Sequence, residues 1–261
     1  MFFGGGIVLK SPREIEIMAE AGAIVAGAFE HIRPLIRPGV ATESVDRAVH
    51  GFVASRGGIC TFKGYNNFPF DTCISVNEEV VHGFPSGRAL REGDIVGIDI
   101  GVTYKGYVAD SAVTFPVGRI TPETAKLLKT ARKCLENAID AAAAGNHIRD
   151  ISAAVEDCAL AAGFSVVRKY VGHGVGRAMH EKPEVPNFVS AGKGARLVPG
   201  MTLAIEPMVN AGTYDVLVGE NGWTVVTADG APSAHFEHTV AVTAEGPRVL
   251  TRRPGEKDED F

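Results

Sequence analysis

The chain has 261 residues, 45% of them hydrophobic, enough for one large core or two fused half-domains. Its net charge is −5, from 26 basic and 31 acidic residues, and the only basic run is Arg252-Arg253, so charge gives no reason to propose nucleic acid or a membrane as partner. Cys60, Cys73, Cys134 and Cys158 form no Cys-x-x-Cys pair, and a chain this long needs no disulfide staples; reduced thiols in a cytoplasmic protein are expected.

Residues 1–10 lack a basic lead and carry too short an apolar run for a signal peptide, and read as a flexible N-terminal segment. No apolar stretch approaches a membrane span. Ser11-Pro12 is a helix start, a cap residue followed by Pro at the first helical position. Ile15, Met18, Ala19, Gly22 and Ala23 then keep a 3.6-residue period. Arg37-Pro38-Gly39 breaks the pattern, and a second helix over 42–55 ends at Gly57-Gly58. Two strand-like runs, 95–103 and 106–115, flank a tight turn at Tyr104-Lys105 or Lys105-Gly106. Thr121-Pro122 starts another helix, with Ala125, Leu128, Ala131, Leu135 and Ile139 on one face. Ala144-Gly145-Asn146 interrupts it, and a helix over 148–162 stops at Gly163. A glycine-rich segment over 170–183 follows, then strand-like runs over 202–206 and 234–242. The charged end, 252–261, reads as a flexible acidic tail.

This order is a repeat. Leu90 to Asp99 aligns with Leu197 to Glu206 at an offset of about 107 residues, each a glycine turn feeding an apolar strand that ends in a carboxylate. The expected fold is α/β (α+β): one domain over 11–251 made of halves 11–118 and 119–251, with a curved antiparallel sheet, helices outside and a site between the halves.

Asp99, Asp110, His173, Glu206 and Glu237 each fall in or at the edge of a strand-like run, where an unpaired charge is costly. One such Asp alone is more often a turn or edge residue. Two on paired strands, with Cβ atoms about 4.5–5.5 Å apart if they face each other, favour ligation of cations. Four carboxylates and an imidazole without thiolate suit a pair of divalent ions and hydrolytic chemistry. Gly172-His173-Gly174-x-Gly176 is a weak phosphate signal, because no Lys-Ser/Thr follows. His82, before Gly83-Phe84-Pro85, is expected on a loop near the hairpin.

Asn77-Glu78 with His82-Gly83, Asp99 with Asp110, Gly172-His173-Gly174 with His180-Glu181, Pro199-Gly200-Met201-Thr202 with Ile205-Glu206-Pro207, and Glu237-His238-Thr239 together resemble type I methionine aminopeptidases, from about Ser11 to Thr251. The spacing of 31 residues between Glu206 and Glu237 leaves no room for the helical insertion of type II members. The resemblance implies the pita-bread fold of two pseudo-symmetric halves and removal of the initiator methionine from nascent polypeptides whose second residue is small. It implies two divalent ions (Co, Mn, Fe or Zn), with Asp99 chelating one, Asp110 and Glu237 bridging, and His173 and Glu206 holding the other. His82, His180 and Glu206 would be catalytic, Glu206 as general base to a bridging water or hydroxide. Tyr65, Phe68, Cys73, Met179 and Trp223, with His82 and His180, would line the methionine pocket. Phe68, Met179 and Phe62 depart from residues common in the family at those positions. Backbone carbonyls of Asn77, Glu79 and Ser233 would bind Na or K. The ribosome is a further expected partner, although no residue marks a contact, and a monomer is expected because no coiled coil or long apolar surface run is evident.

Three other readings use the same residues. A proline-specific peptidase of this fold would share the five ligands and usually carries an extra N-terminal domain. A non-catalytic binding module would be expected to lose ligands and gain basic patches. A metal-free hydrolase would leave four buried carboxylates without cations, which is severely destabilising.

Overall fold

The computed structural model describes residues 6–256. Four helices carry the outer layer: α1 (Pro12–Ile32), α2 (Thr42–Ser55), α3 (Pro122–Ala141) and α4 (Ile148–Ala161). Ser11 caps α1 in a reciprocal box with Glu14, and Thr121 caps α3 by accepting the Thr124 N–H. Among the described residues no helix is long and apolar enough to cross a membrane.

The strands are β1 (Ile59–Cys60), β2 (Cys73–Val76), β3 (Glu79–Val81), β4 (Ile95–Tyr104) and β5 (Tyr107–Pro116) in the first half. The second half has β6 (Ser165–Val166), β7 (Gly172–Gly174), β8 (Glu181–Val185), β9 (Thr202–Ile205), β10 (Met208–Asn210), β11 (Val216–Val218), β12 (Val225–Thr227), β13 (Ser233–His235), β14 (His238–Thr243) and β15 (Gly246–Val249). Every strand pair is antiparallel, in four hydrogen-bonded groups: β1-β4-β2 with β5 on β4; β13-β10-β6; β11-β12-β3; and β15-β14-β9-β7-β8.

The halves repeat bond for bond. Gly39 N–H donates to the Leu90 carbonyl, and Gly145 N–H to that of Leu197. Leu90 N–H returns to Val40, and Leu197 N–H to Asn146. Single bridges join Ala41 to Ala89 and His147 to Arg196. Gly93 and Gly200 turn with φ of 91° and 94°, a conformation that excludes most side chains. One continuous apolar core underlies both halves, with Phe29, Leu90, Ile98, Leu127, Leu128, Ile151, Leu197 and Phe236 fully or nearly fully buried.

Reciprocal threonines sew the halves together. Thr114 Oγ1 on β5 donates to the His235 carbonyl and accepts the His235 N–H, both at 2.9 Å. Thr239 Oγ1 on β14 does the same to Asp110, again with both bonds at 2.9 Å. Between these clamps, Glu237 N–H donates to the Ala112 carbonyl, and the Ser111 hydroxyl to the Glu237 carbonyl.

One expectation needs correction. Glu237 lies not within a strand but in the two-residue link between β13 and β14, because its backbone pairs across the seam with β5. In the segment expected to be flexible over 1–10, the described part is docked at its end: Lys10 is buried, its N–H donating to Gly200 and its ammonium pairing with Glu181. The tail expected to be flexible over 252–261 is likewise anchored over its described part. Buried Glu256 accepts the Arg253 N–H and pairs with His238 Nε2 at 3.1 Å, while Arg252 bonds the same carboxylate at 2.7 Å. Residues 1–5 and 257–261 lie outside the described residues.

Candidate metal centre

The β4–β5 hairpin turns at Lys105-Gly106, both with positive φ (48° and 79°), as a two-residue turn matching strand twist requires. The register sets Asp110 opposite Gly101 and Asp99 opposite Ala112. Alternation therefore puts Asp99 and Asp110 on one face, two rungs apart. Cys73 on β2 is opposite Asp99 and shares that face. Phe62 packs over Gly101, where a Cβ would lie 2.7 Å from its ring.

The glycine-rich segment of the second half serves close packing. A Cβ on Gly172 would lie 2.5 Å from the Ala204 carbonyl, and one on Gly174 would lie 2.3 Å from that of Lys182. The two glycines let β7 run between β8 and β9 and deliver His173 into the interior. His173 Nδ1 is 2.9 Å from the Gly174 carbonyl, which only a protonated Nδ1 can satisfy, so Nε2 keeps its lone pair. Glu206 follows β9, one oxygen 3.5 Å from His173 Nε2 and the other 3.4 Å from His235 Nε2.

All five expected ligands line one cavity, together with Tyr65, Phe68, Cys73, His82, Met179, His180 and Trp223. Ligand atoms of Asp110, His173 and Glu237 lie within 4.8 Å of one another. Asp99 Oδ1, Asp110 Oδ1 and Glu237 Oε1 are sealed from solvent without a hydrogen-bond partner. Burial, then the charges of Asp110 and Glu206, pushes the Asp99 carboxyl well above the usual range; burial and Asp110 do the same to Glu206 and Glu237. Burial raises Asp110 to about 7 against hydrogen bonds that pull the other way. Orphaned carboxylate oxygens converging on an imidazole lone pair are a donor set that divalent cations fit, and a cation reverses each of these shifts.

Tyr65 hydroxyl is 2.7 Å from His180 Nδ1, and the rings stack at 5.2 Å. His180 also approaches His173, with ring centroids 4.2 Å apart. His82 has φ 59° and meets the edges of Tyr170 and Trp223. Burial holds His82 at about 4 and, with the neighbouring histidines, His180 at about 3, so both rings are neutral near pH 7. Phe68 packs edge-on to Trp223, Phe84 and Phe70, building the apolar wall.

At the expected monovalent-cation positions, the Asn77 carbonyl accepts the Ser233 N–H at 2.9 Å, while Glu79 pairs with Val226 in the β3–β12 ladder. Sequence reasoning missed Asn66, which lines the cavity, and His235, whose buried Nε2 faces Glu206 without a hydrogen bond. His235 ends β13, and its neighbour Glu206 arrives from another strand, so no local spacing marks it. Asn66 sits at φ 47° in an irregular loop without periodicity to expose it.

Residues 16–244 match metallopeptidase family M24. Methionine aminopeptidase 1 of Bacillus subtilis is 48% identical over 246 residues, covering 94% of this chain and 99% of that protein. The crystal structure of methionine aminopeptidase from Thermotoga maritima superposes with a TM-score of 0.93 at 44% identity, covering 95% of this chain and all of that one. An Xaa-Pro dipeptidase from Bacillus anthracis shares the fold at a TM-score of 0.76 and 26% identity, but this chain spans only 62% of it. The chain belongs to metallopeptidase family M24, in its methionine aminopeptidase branch.

Proposed function

We propose that this chain releases the N-terminal methionine from peptides and nascent proteins whose second residue is small, using two divalent cations held by Asp99, Asp110, His173, Glu206 and Glu237. The observation that carries the reading is one cavity in which an apolar slot adjoins orphaned carboxylate oxygens. When bound, the cations would acidify the attacking water and polarise the scissile carbonyl.

The chain's own residues do the rest. Phe68, Met179 and Trp223 clasp the thioether, which packs well against aromatic edges, with Tyr65 and Cys73 completing the wall. Glu206 takes the proton of the attacking water and passes it to the leaving amine. The Tyr65 hydroxyl donating to His180 Nδ1 leaves the proton on Nε2, available to the oxyanion of the tetrahedral intermediate. Neutral His82 hydrogen-bonds the substrate backbone. The carbonyls of Asn77, Glu79 and Ser233 are the proposed seat of a monovalent cation.

The test is release of methionine from Met-Gly-Met-Met, with Met-Pro and Leu-Gly peptides as controls, by metal-stripped protein given Mn²⁺, Co²⁺, Fe²⁺ or Zn²⁺. Metal-dependent release from the first peptide alone is expected. Cleavage only of an Xaa-Pro control would move the chain to the dipeptidase reading, and no release with any metal from folded protein would leave a binding module.

A further inference from the structure

On the far side of the pocket loop lies a second cluster of ligating side chains. His50 projects from α2, Cys60 ends β1, and Asp71 precedes β2; their ligand atoms lie within 4.8 Å of one another. His50 Nδ1 is 3.2 Å from Asp71 Oδ1. Cys60 and Asp71 are buried, whereas His50 is 58% exposed and opens a path from solvent. Asp46, one helical turn before His50, adds another carboxylate; its Oδ1 accepts the N–H and hydroxyl of Thr72 at 2.9 and 2.7 Å. Against two carboxylates, the paired cation is Lys63, 3.3 Å from the other oxygen of Asp71.

We propose that His50, Cys60 and Asp71 form a second, structural site for one zinc-class divalent ion, chemically distinct from the oxygen-rich centre in the cavity. Thiolate, imidazole and carboxylate make up the donor set that borderline-soft Zn²⁺ or Co²⁺ takes in tetrahedral geometry, with water in the fourth position. Lys63 faces Asp71 Oδ2, which leaves Oδ1 for the ion, and its exposed ammonium is free to turn to solvent. Burial and the charges of Asp71 and Asp46 keep the Cys60 thiol protonated up to about 12, so binding the ion releases that proton to solvent.

The position gives the ion a task. Cys60 and Asp71 bracket the segment that supplies Phe62, Tyr65 and Phe68 to the cavity. That segment includes three residues in left-handed conformation, Gly64, Asn66 and Asn67, and has little regular structure. An ion at its two ends would tie it to α2 and fix the wall against which the substrate side chain packs.

Cobalt distinguishes the sites, because a thiolate ligand gives a near-ultraviolet charge-transfer band that carboxylate and imidazole do not. Full-length protein titrated with Co²⁺ should develop this band, and excess Zn²⁺ should remove it. Cys60→Ser and His50→Ala should lose it, the second at an exposed position where folding is not at stake. Cys73→Ser, which removes the thiol beside Asp99, should keep it. No band in the wild-type protein at saturating cobalt would overturn the proposal, leaving the Lys63–Asp71 ion pair as the whole role of the cluster. A band that survives Cys60→Ser or disappears in Cys73→Ser would also overturn it. The readout is absorption, so it stands or falls independently of peptide hydrolysis.

Discussion

The two halves solve one problem with different backbones. In the first, Asp99 and Asp110 sit inside uninterrupted ten-residue strands paired at every rung from Ile95–Pro116 to Tyr104–Tyr107. In the second, both corresponding strands break at the carboxylate: β9 stops before Glu206-Pro207 and resumes as β10, and β13 stops before Phe236-Glu237 and resumes as β14. Pro207 has no N–H to offer a ladder. The break also frees the Glu237 N–H to pair with Ala112 of the other half. The continuous hairpin sets its acids by register, with one added clamp from Thr239 on Asp110, whereas Glu237 at its break is held entirely by bonds to its backbone across the seam. The break additionally places Glu206 between two imidazoles, a setting neither aspartate has.

If that division is right, the largest single effect comes from Glu206, the carboxylate at a break. Glu206→Gln keeps the shape and removes the proposed base, and kcat should fall by about 10²–10⁴. Metal-free protein should melt no lower than wild type, since the amide matches the shape of the protonated carboxyl that burial favours there. Wild-type turnover by this variant would remove Glu206 from the proton path.

A second effect concerns both halves together. Asp99, Asp110, Glu206 and Glu237 have raised values in the folded chain, so without metal the fold binds more protons than the unfolded chain does at and above neutrality. Their contribution to stability is therefore present at low pH and lost as pH rises. His82, His173, His180 and His235 are lowered by burial and act in the opposite sense, but only below the ordinary histidine value of about 6.5. From there to about pH 7.5, below the range in which the buried thiols act in the same sense, the carboxylates set the slope. Chelator-treated protein should show a melting temperature that falls from roughly pH 6.5 to 7.5, and saturating Mn²⁺ should abolish the fall. A flat metal-free profile would mean the four carboxylates are not mutually strained.

How much of this was legible in the sequence follows the same contrast. Helix boundaries at Ser11, Thr42, Thr121 and Ile148 were readable because caps and periodicity are local. The duplication was readable because Leu90 and Leu197, with the glycines after them, keep equal roles. The hairpin acids could be placed on one face from turn chemistry alone. The break at Glu237 was not readable, since Ala234 to Val242 has the composition of one strand and the interruption depends on Ala112, more than a hundred residues away. His235 was missed for a related reason: its neighbour Glu206 arrives from another strand. The cluster of His50, Cys60 and Asp71 has no motif spacing; folding brings together a residue of α2, the end of β1 and the loop before β2.

The seam offers the finest test, because it contains the same device twice. Thr114 clamps the backbone of His235, and Thr239 clamps that of Asp110. Valine at either position keeps the shape and strands one N–H and one carbonyl in a buried place. Each substitution should cost about 1–3 kcal/mol in denaturant unfolding, with the slope unchanged. The two should nonetheless part company in metal binding. Thr239 holds the backbone of an expected ligand directly, whereas Thr114 holds His235, two residues from Glu237 in the sequence. Thr239→Val should therefore weaken Mn²⁺ affinity measured by calorimetry more than Thr114→Val, by about tenfold if it acts as an outer-shell support. Equal affinities with equal losses of stability would show that the seam joins the halves without tuning the centre. Unequal losses of stability would show that the symmetry of the bonds is not a symmetry of energy.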